Sequence, residues 1–338
     1  MNNNCFILAE IGVNHNGEID LAYELINVAK RAGANSVKFQ IFKSNLLVNE
    51  NTPTAEYQKK NTNCNNQNDL LKHLELSYET FQKIKLYCDN LGIEFIATPF
   101  DIESVDFLEK LNVSTYKIGS GDLTNYQLLK KIAMKKKKII LSTGMSNLSE
   151  VINSVNYIKS FESNDIVILH CISSYPTPVN EANLLCIKTL QNTFPNIPIG
   201  FSDHTLGYHA AVVAVSLGAK FIEKHITLDC NMEGPDHKAS LNPDQFDEFV
   251  FKVRETEIML GDGDKKCVSC EMPTKNLVRR SLAINKNLSI GDTIKEEDII
   301  SLRPDFNISA IYYENIIGKT IKKAIHEKEF LTQEHIDI

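Results

Sequence analysis

No apolar run in this chain of 338 residues reaches the roughly 18 residues that a membrane span requires. Met1-Asn2-Asn3-Asn4 leads straight into a strand pattern rather than into a leader sequence. The expectation is a soluble, cytoplasmic protein with no membrane partner. Its eight cysteines are scattered singly through apparent strands, helices and loops, which suits a reducing compartment and excludes a disulfide framework. The one close pair, Cys267-Val268-Ser269-Cys270, lacks a second pair or a histidine at zinc-ligand spacing. Excess positive charge is lacking too: a formal net charge of −7 argues against non-specific nucleic-acid binding. Finally, no G-x-G-x-x-G follows the first strand, so a doubly wound dinucleotide-binding sheet is the lesser alternative for the fold.

What is present is a strand-then-helix alternation repeated about eight times. Hydrophobic residues make up 43% of the chain, enough for one large domain or a large one plus a small one. Phe6 to Ile11 reads as the first strand, followed by an amphipathic helix from Leu21 to Arg31 that Gly33 stops. Ser36 to Gln40 is the second strand. Later strands end at Thr98, Ile118, Ser142, His170, Ser202 and His225, with helices over Tyr78 to Leu91, Leu148 to Ser160, Tyr208 to Leu217 and Asp244 to Leu260. Eight such units in about 260 residues match a (β/α)8 TIM barrel. Phe42 to about Glu75 reads as a long polar loop, rich in Asn, of the kind that is functional or mobile. After Gly261 the alternation stops. The expected division is a barrel over 1–262, a charged linker over 263–278 and a small β-rich domain over 279–338.

In such a barrel, chemistry gathers where strands end. His204 and His225 stand at the ends of consecutive strands, so the two imidazoles converge at one mouth as candidate ligands for a divalent metal. Strands two to five offer Lys38, Gln40, Thr98, Lys117, Ser120, Ser142 and Thr143, with Gly119, Gly121 and Gly144 exposing backbone N–H groups. Ammonium groups, hydroxyls and backbone amides together make a phosphate cradle. Glu10 and Asp236 are carboxylates placed to handle protons. Asn14, His15, Asn16, Lys43, His170, Ser173, Tyr175, Ser202 and Glu223 complete the strand-end set. A phosphorylated anion and a carbonyl compound form the substrate pair this set suggests. Each residue also has a structural alternative, whether an ion pair, a packing position or a strand cap.

The same residues lie in a series of motifs: AEIGVNHNG (9–17), VKFQ (37–40), ATPFD (97–101), YKIGSGD (116–122), LSTGM (141–145), HCISSYPTP (170–178), GFSDHT (200–205), EKHITLD (223–229) and GPDHKAS (234–240). In this order, over nearly the whole chain, they resemble the sialic acid synthase family. The C-terminal segment, with Val278-Arg-Arg-Ser-Leu282 and Leu302-Arg-Pro304, resembles its antifreeze-like (SAF) domain. The resemblance implies a metal-dependent condensation of phosphoenolpyruvate with the open-chain aldehyde of an N-acylated mannosamine-type sugar, with C–O cleavage and phosphate release. N-acetylmannosamine, giving N-acetylneuraminate, is the first acceptor it suggests. A 6-deoxy diacetamido hexose, giving legionaminic or pseudaminic acid, is the alternative. By the same carry-over, His204 and His225 bind manganese or magnesium. Lys38, Thr98, Lys117, Ser120, Ser142, Ser173 and Ser202 hold phosphoenolpyruvate, and Glu10 is the acid/base residue. Gln40, Tyr175 and Asp236 orient the sugar, and Arg303 reaches its acyl group from the partner subunit of a domain-swapped homodimer. Two departures bear on these roles. Position 173 is Ser where some members carry Asn, and Asp305-Phe306-Asn307 follows Arg303-Pro304 where the family often has Gly.

Two other functions fit parts of the pattern. A Schiff-base aldolase would use Lys117 or Lys224, but the Gly/Ser surroundings of Lys117 suit phosphate better. A non-catalytic sugar-binding module would have lost some strand-end polar groups, and Glu10, Lys38, Lys117, His204, His225 and Asp236 are all present.

Overall fold

The computed structural model describes residues 4–62 and 64–337. Strands β1 (Phe6–Gly12), β2 (Ser36–Ile41), β3 (Glu94–Pro99), β4 (Thr115–Ile118), β5 (Lys138–Ser142), β6 (Ile166–Cys171), β7 (Ile199–Asp203) and β8 (Phe221–His225) close into one barrel in sequence order. All eight neighbouring pairs are parallel, including β1 with β8, where Glu10 lies opposite His225. The barrel expected from the alternation is the one observed.

Two separate apolar layers hold it together. Outside, the helices bury one face against the strands. In the helix Ile19–Ala32, Ala22, Leu25, Ile26 and Ala29 recur at helical spacing and are fully buried, and Gly33 caps it at φ 88. Inside, Leu8, Ile96, Ile140, Val167 and Leu169 form their own cluster. Side chains alternate along a strand, so the next inward residues are Glu10, Thr98, Ser142 and Cys171. The interior therefore changes from apolar to polar within one pleat, and a closed floor of hydrocarbon lies under the polar mouth.

The stretch after β2 differs from expectation. It is not a plain loop but carries three short helices, Ser44–Leu47, Glu56–Thr62 and Gln67–Leu74. Asn66 caps the last by accepting from the Asn68 and Asp69 backbone N–H groups, and Leu70 and Leu74 join Val13 and Phe42 in a small apolar cluster. One of the asparagines that read as loop thus supplies a cap, and a small apolar cluster, which Leu47, Cys64, Leu71 and Phe100 also join, anchors the excursion.

The chain divides into two compact units, Met1–Gly261 and Asp262–Ile338. The segment expected to be a linker contains a 3-10 turn, Ser269–Glu271, and a helix, Met272–Val278, and groups with the second unit. That unit has an antiparallel pair, β9 (Ser281–Ile284) and β10 (Ile299–Leu302), joined by isolated bridges such as Leu288 to Ile325. Thr320 and Ile325 take part only in such bridges. Its core is aliphatic, built on Leu282, Ile284, Ile294, Ile316 and Leu331. No described helix is long and apolar enough to cross a membrane.

Candidate active site

A cavity of about 410 Å³ opens at the carboxyl ends of the barrel strands. On one wall Lys38 Nζ lies 2.9 Å from Glu10 Oε1 and donates to Thr98 Oγ1 at 3.2 Å. Gln40 Nε2 also donates to Glu10 Oε1, at 3.2 Å. Gly12 makes room for this: it sits at φ +57, and a Cβ there would come within 2.9 Å of Glu10 Oε1. Glu10 and Lys38 are 1% and 4% exposed. Burial dominates the Glu10 carboxyl and pushes it up to about 7, although Lys38 pulls the other way. Burial also disfavours the Lys38 charge, but Glu10 and Glu223 together more than offset it and hold that ammonium above its ordinary range. The two shifts answer differently to one contact. The geometry favours a charged Lys38 between two carboxylates, of which Glu10 is the one able to take a proton near neutrality.

Across the barrel, Lys117 Nζ donates to Ser142 Oγ at 2.7 Å and lies 3.5 Å from Glu223 Oε2, while Ser202 donates to Glu223 Oε1 at 2.9 Å. Burial lowers the Lys117 pKa, and Lys117 and Lys38 bring Glu223 below its usual range against its own burial. Beside them, Gly144 N–H donates to Ser120 Oγ at 2.9 Å; a Cβ on Gly144 would fall 2.2 Å from Ser173 Oγ. The chain thus places two lysines, four serines, Thr98 and an exposed amide turn around one space, which is an anion site by composition.

The histidines close the ring. His204 and His225 are 4% exposed, with ring centroids 5.4 Å apart. His204 Nδ1 contacts the Ile172 carbonyl at 2.8 Å, which makes Nδ1 the donor and Nε2 the nitrogen left for a ligand. Burial disfavours the His204 charge, but Cys171, the Ile172 carbonyl and Glu223 more than offset it and raise its pKa, so ligation there displaces a proton. His225 Nδ1 is buried without a hydrogen bond, 4.0 Å from Asp236 Oδ2. Burial, then His204 and the lysines, drive the His225 pKa well down, so its imidazole is neutral and free to ligate. Burial raises the Asp236 carboxyl to about 6. Tyr175 packs on both rings, at 4.1 Å from His204 and 5.9 Å from His225. Among the described residues no group of three or more His, Cys, Asp or Glu side chains could enclose a metal. The pair therefore fits an open site, with two protein imidazoles and its other positions left to water or substrate.

Glu10, Lys38, Gln40, Thr98, Lys117, Ser120, Ser142, Ser173, Tyr175, Ser202, His204 and His225 all line the cavity. Asp236 is not among its described lining residues; it lies beside His225 and acts on His204 and Lys38 through its charge. Arg303 stands exposed in the second unit, just after β10. Three other strand-end residues serve structure: Asn14 donates to the Ile226 carbonyl and Ser240, His170 contacts the Ala182 carbonyl, and Thr143 donates to the Leu169 carbonyl. The central role of Glu223 as counter-ion is visible only in three dimensions, although its in-facing parity with His225 marked it. Cys171, Phe100, Met145, Gln58 and Gln67 also line the cavity. Parity identifies Cys171; nothing in the sequence singled out the two glutamines of the β2–β3 excursion.

A model of the NeuB family matches residues 25–265, and a SAF domain model matches residues 279–337. The chain is 43% identical to an N,N'-diacetyllegionaminic acid synthase of Legionella pneumophila, covering 98% of this chain and 95% of that protein. It is 34% identical to the human N-acetylneuraminate-9-phosphate synthase, covering 98% and 93%. The crystal structure of an N-acetylneuraminic acid synthetase from Leptospira borgpetersenii superposes with a TM-score of 0.73 at 34% identity, covering 81% and 90% of the two chains. With the barrel, the cavity and both domain matches in agreement, the chain belongs to the NeuB family, the sialic acid synthases.

Proposed function

We propose that this synthase condenses phosphoenolpyruvate with the open-chain aldehyde of a 6-deoxy diacetamido hexose, forming a legionaminic-type acid and releasing phosphate. The observation that carries the reaction is the convergence of Lys38, Lys117, Glu10 and Glu223 with His204 and His225 in one buried cavity. The sugar rests on the higher identity to the legionaminic acid synthase, 43% against 34%. N-acetylmannosamine, giving N-acetylneuraminate, is the competing acceptor.

In this reaction the methylene carbon of phosphoenolpyruvate attacks the aldehyde carbon, and the carbonyl electron pair moves to oxygen, which takes a proton. Water adds to the electron-poor C2 and loses a proton. The new hydroxyl then gives up its proton, to the departing phosphate or solvent, as its electrons form the C2 carbonyl and the C2–O bond to phosphate breaks. Lys38 and Lys117 bind the phosphoenolpyruvate anion, helped by Ser120, Ser142, Ser173, Ser202 and Thr98. Its negative charge competes with Glu10 and Glu223 for the ammonium groups, which drives Glu10 further towards its protonated form. Protonated Glu10 supplies the aldehyde oxygen's proton, and its carboxylate can take one from the attacking water. Gln40, Tyr175 and Asp236 orient the sugar. A manganese or magnesium ion on His204 and His225 would polarise the aldehyde as a Lewis acid. The contact of Arg303 with the acyl group from the second copy of a domain-swapped dimer belongs to this reading as well.

The test is phosphate release from phosphoenolpyruvate by chelator-treated protein, with manganese returned or withheld, across a panel of acceptors. Release that needs both metal and sugar, and is faster with the diacetamido sugar, is the expected result. Preference for N-acetylmannosamine would reassign the acceptor, and no release with any sugar would end the synthase assignment of this cavity. The lowered Lys117 favours one second reading, a Schiff-base aldolase. Borohydride trapping of a pyruvate adduct on Lys117 would support it.

A further inference from the structure

Strands β7 and β8 carry different side chains on their two faces. Ser202, His204, Glu223 and His225 turn to the cavity, so Asp203 and Lys224 turn away from it, and they are register partners. Both side chains are 0% exposed, with Lys224 Nζ 3.0 Å from Asp203 Oδ2. Asp203 Oδ1 accepts from the Thr205 N–H at 2.8 Å and from its hydroxyl at 2.7 Å, closing a turn with His204 at its centre. Lys224 Nζ donates in addition to the Thr205 carbonyl at 2.5 Å. One network therefore grips the residues on either side of His204 and the residue immediately before His225.

Stability alone does not call for such a pair. Two apolar residues of similar volume hold a buried position as well or better. What the charged network supplies is directionality, because the ion pair is anchored by three hydrogen bonds to Thr205: two accepted by Asp203 Oδ1 and one donated by Lys224 to the Thr205 carbonyl. A rigid two-imidazole site needs that, since only His204 is oriented by its own ring hydrogen bond, whereas His225 Nδ1 has none. We infer that Asp203 and Lys224 are positioning residues that set the spacing of the His204 and His225 imidazoles for a divalent cation. The inference rests on the proposed role of those histidines.

The experiment is Mn2+ titration of the full chain without substrates, after chelator treatment, followed by loss of the free-ion EPR signal and paired with thermal melts. Wild type, His204→Ala, Asp203→Leu/Lys224→Met and Thr205→Val are compared. The double variant removes both charges together and is expected to melt near wild type while binding Mn2+ about 10-fold or more weakly, as outer partners of metal ligands do. Thr205→Val, which deletes one donor to Asp203, should weaken binding by a smaller factor. A double variant that folds and binds Mn2+ as tightly as wild type overturns the inference while leaving the histidine site intact. If the double variant does not fold, an unchanged Mn2+ affinity in Thr205→Val overturns it instead. A wild type that binds no Mn2+, or a His204→Ala variant that binds it undiminished, sinks the histidine reading and this inference with it.

Discussion

The barrel mouth and the C-terminal unit treat charge in opposite ways. At the mouth, Glu10, Lys38, Lys117 and Glu223 are each 4% exposed or less. In the C-terminal unit, pairs such as Lys323 with Glu334 and Lys322 with Asp337 lie in solvent, around a core of leucine and isoleucine. Asp298 is its buried carboxylate, held by Lys286 at 2.6 Å. The small fold thus coheres on an aliphatic core with Asp298 as the one buried carboxylate among its described residues, so cohesion does not call for the cluster of buried charges at the mouth. Desolvated charges gain strength towards an incoming anion, and that gain is what the barrel holds in readiness.

Substitutions can break this contrast at several strengths. The largest effect should come from His204→Ala or His225→Ala. Loss of several kcal/mol of Lewis-acid stabilisation predicts a fall in kcat/KM of about a thousandfold or more, with circular dichroism and melting nearly unchanged. Retained turnover would refute the metal role. Next is Glu10→Gln, expected to lower kcat by about 10²- to 10⁴-fold. Because the Glu10 carboxyl is raised to about 7, its proton-donating form dominates below that pH and is lost above it. The wild-type kcat/KM, which reports the free protein, should therefore fall as pH rises through about 7, kcat should fall at higher pH, and the variant's profiles should lack that limb. A third substitution, Lys117→Met, leaves Glu223 buried with a missing partner and should destabilise by about 3–5 kcal/mol in denaturant melts. Adding Glu223→Gln should restore most of the stability without restoring phosphoenolpyruvate affinity. In the other unit, Leu331→Ala deletes a fully buried side chain and should cost about 2–5 kcal/mol. Its effect belongs to the melting transition of the C-terminal unit alone; a matching shift of the barrel transition would show the two to be coupled. At the bottom of the scale, Lys323→Ala should leave both transitions where they are, since its pair with Glu334 is fully in solvent.

The barrel was legible because its two signals are local. Apolar strands end in polar residues at each mouth position, and glycines such as Gly33 stop the helices. Polar residues could be picked from the strand ends, which is how Lys38, Lys117, His204 and His225 came to be grouped. What local pattern could not tell was which polar strand-end residue serves chemistry and which serves the chain. Asn14, His170 and Thr143 look like site residues in sequence, yet each is tied to a backbone carbonyl of another segment. The excursion after β2 misled for a related reason. Its helices are short, and they are held by a cap and a small apolar cluster rather than by a sustained amphipathic stripe. In the C-terminal unit the apolar residues are plain, but isolated bridges leave no period-two run long enough to mark a strand.

Closure of the barrel through β1 and β8 also has a consequence in time. Glu10 meets His225 only across that last seam, and Asn14 reaches the Ile226 carbonyl from 212 residues away. A growing chain emerging from the ribosome can make β1 through β6, floor residues included, and still lack both histidines of the proposed site. Both imidazoles come from the final quarter of the barrel, and the acid they face comes from its first strand. Function arrives in a single late event rather than by degrees, so a chain interrupted before β8 is an inert fragment with an open edge, exposed to misassociation.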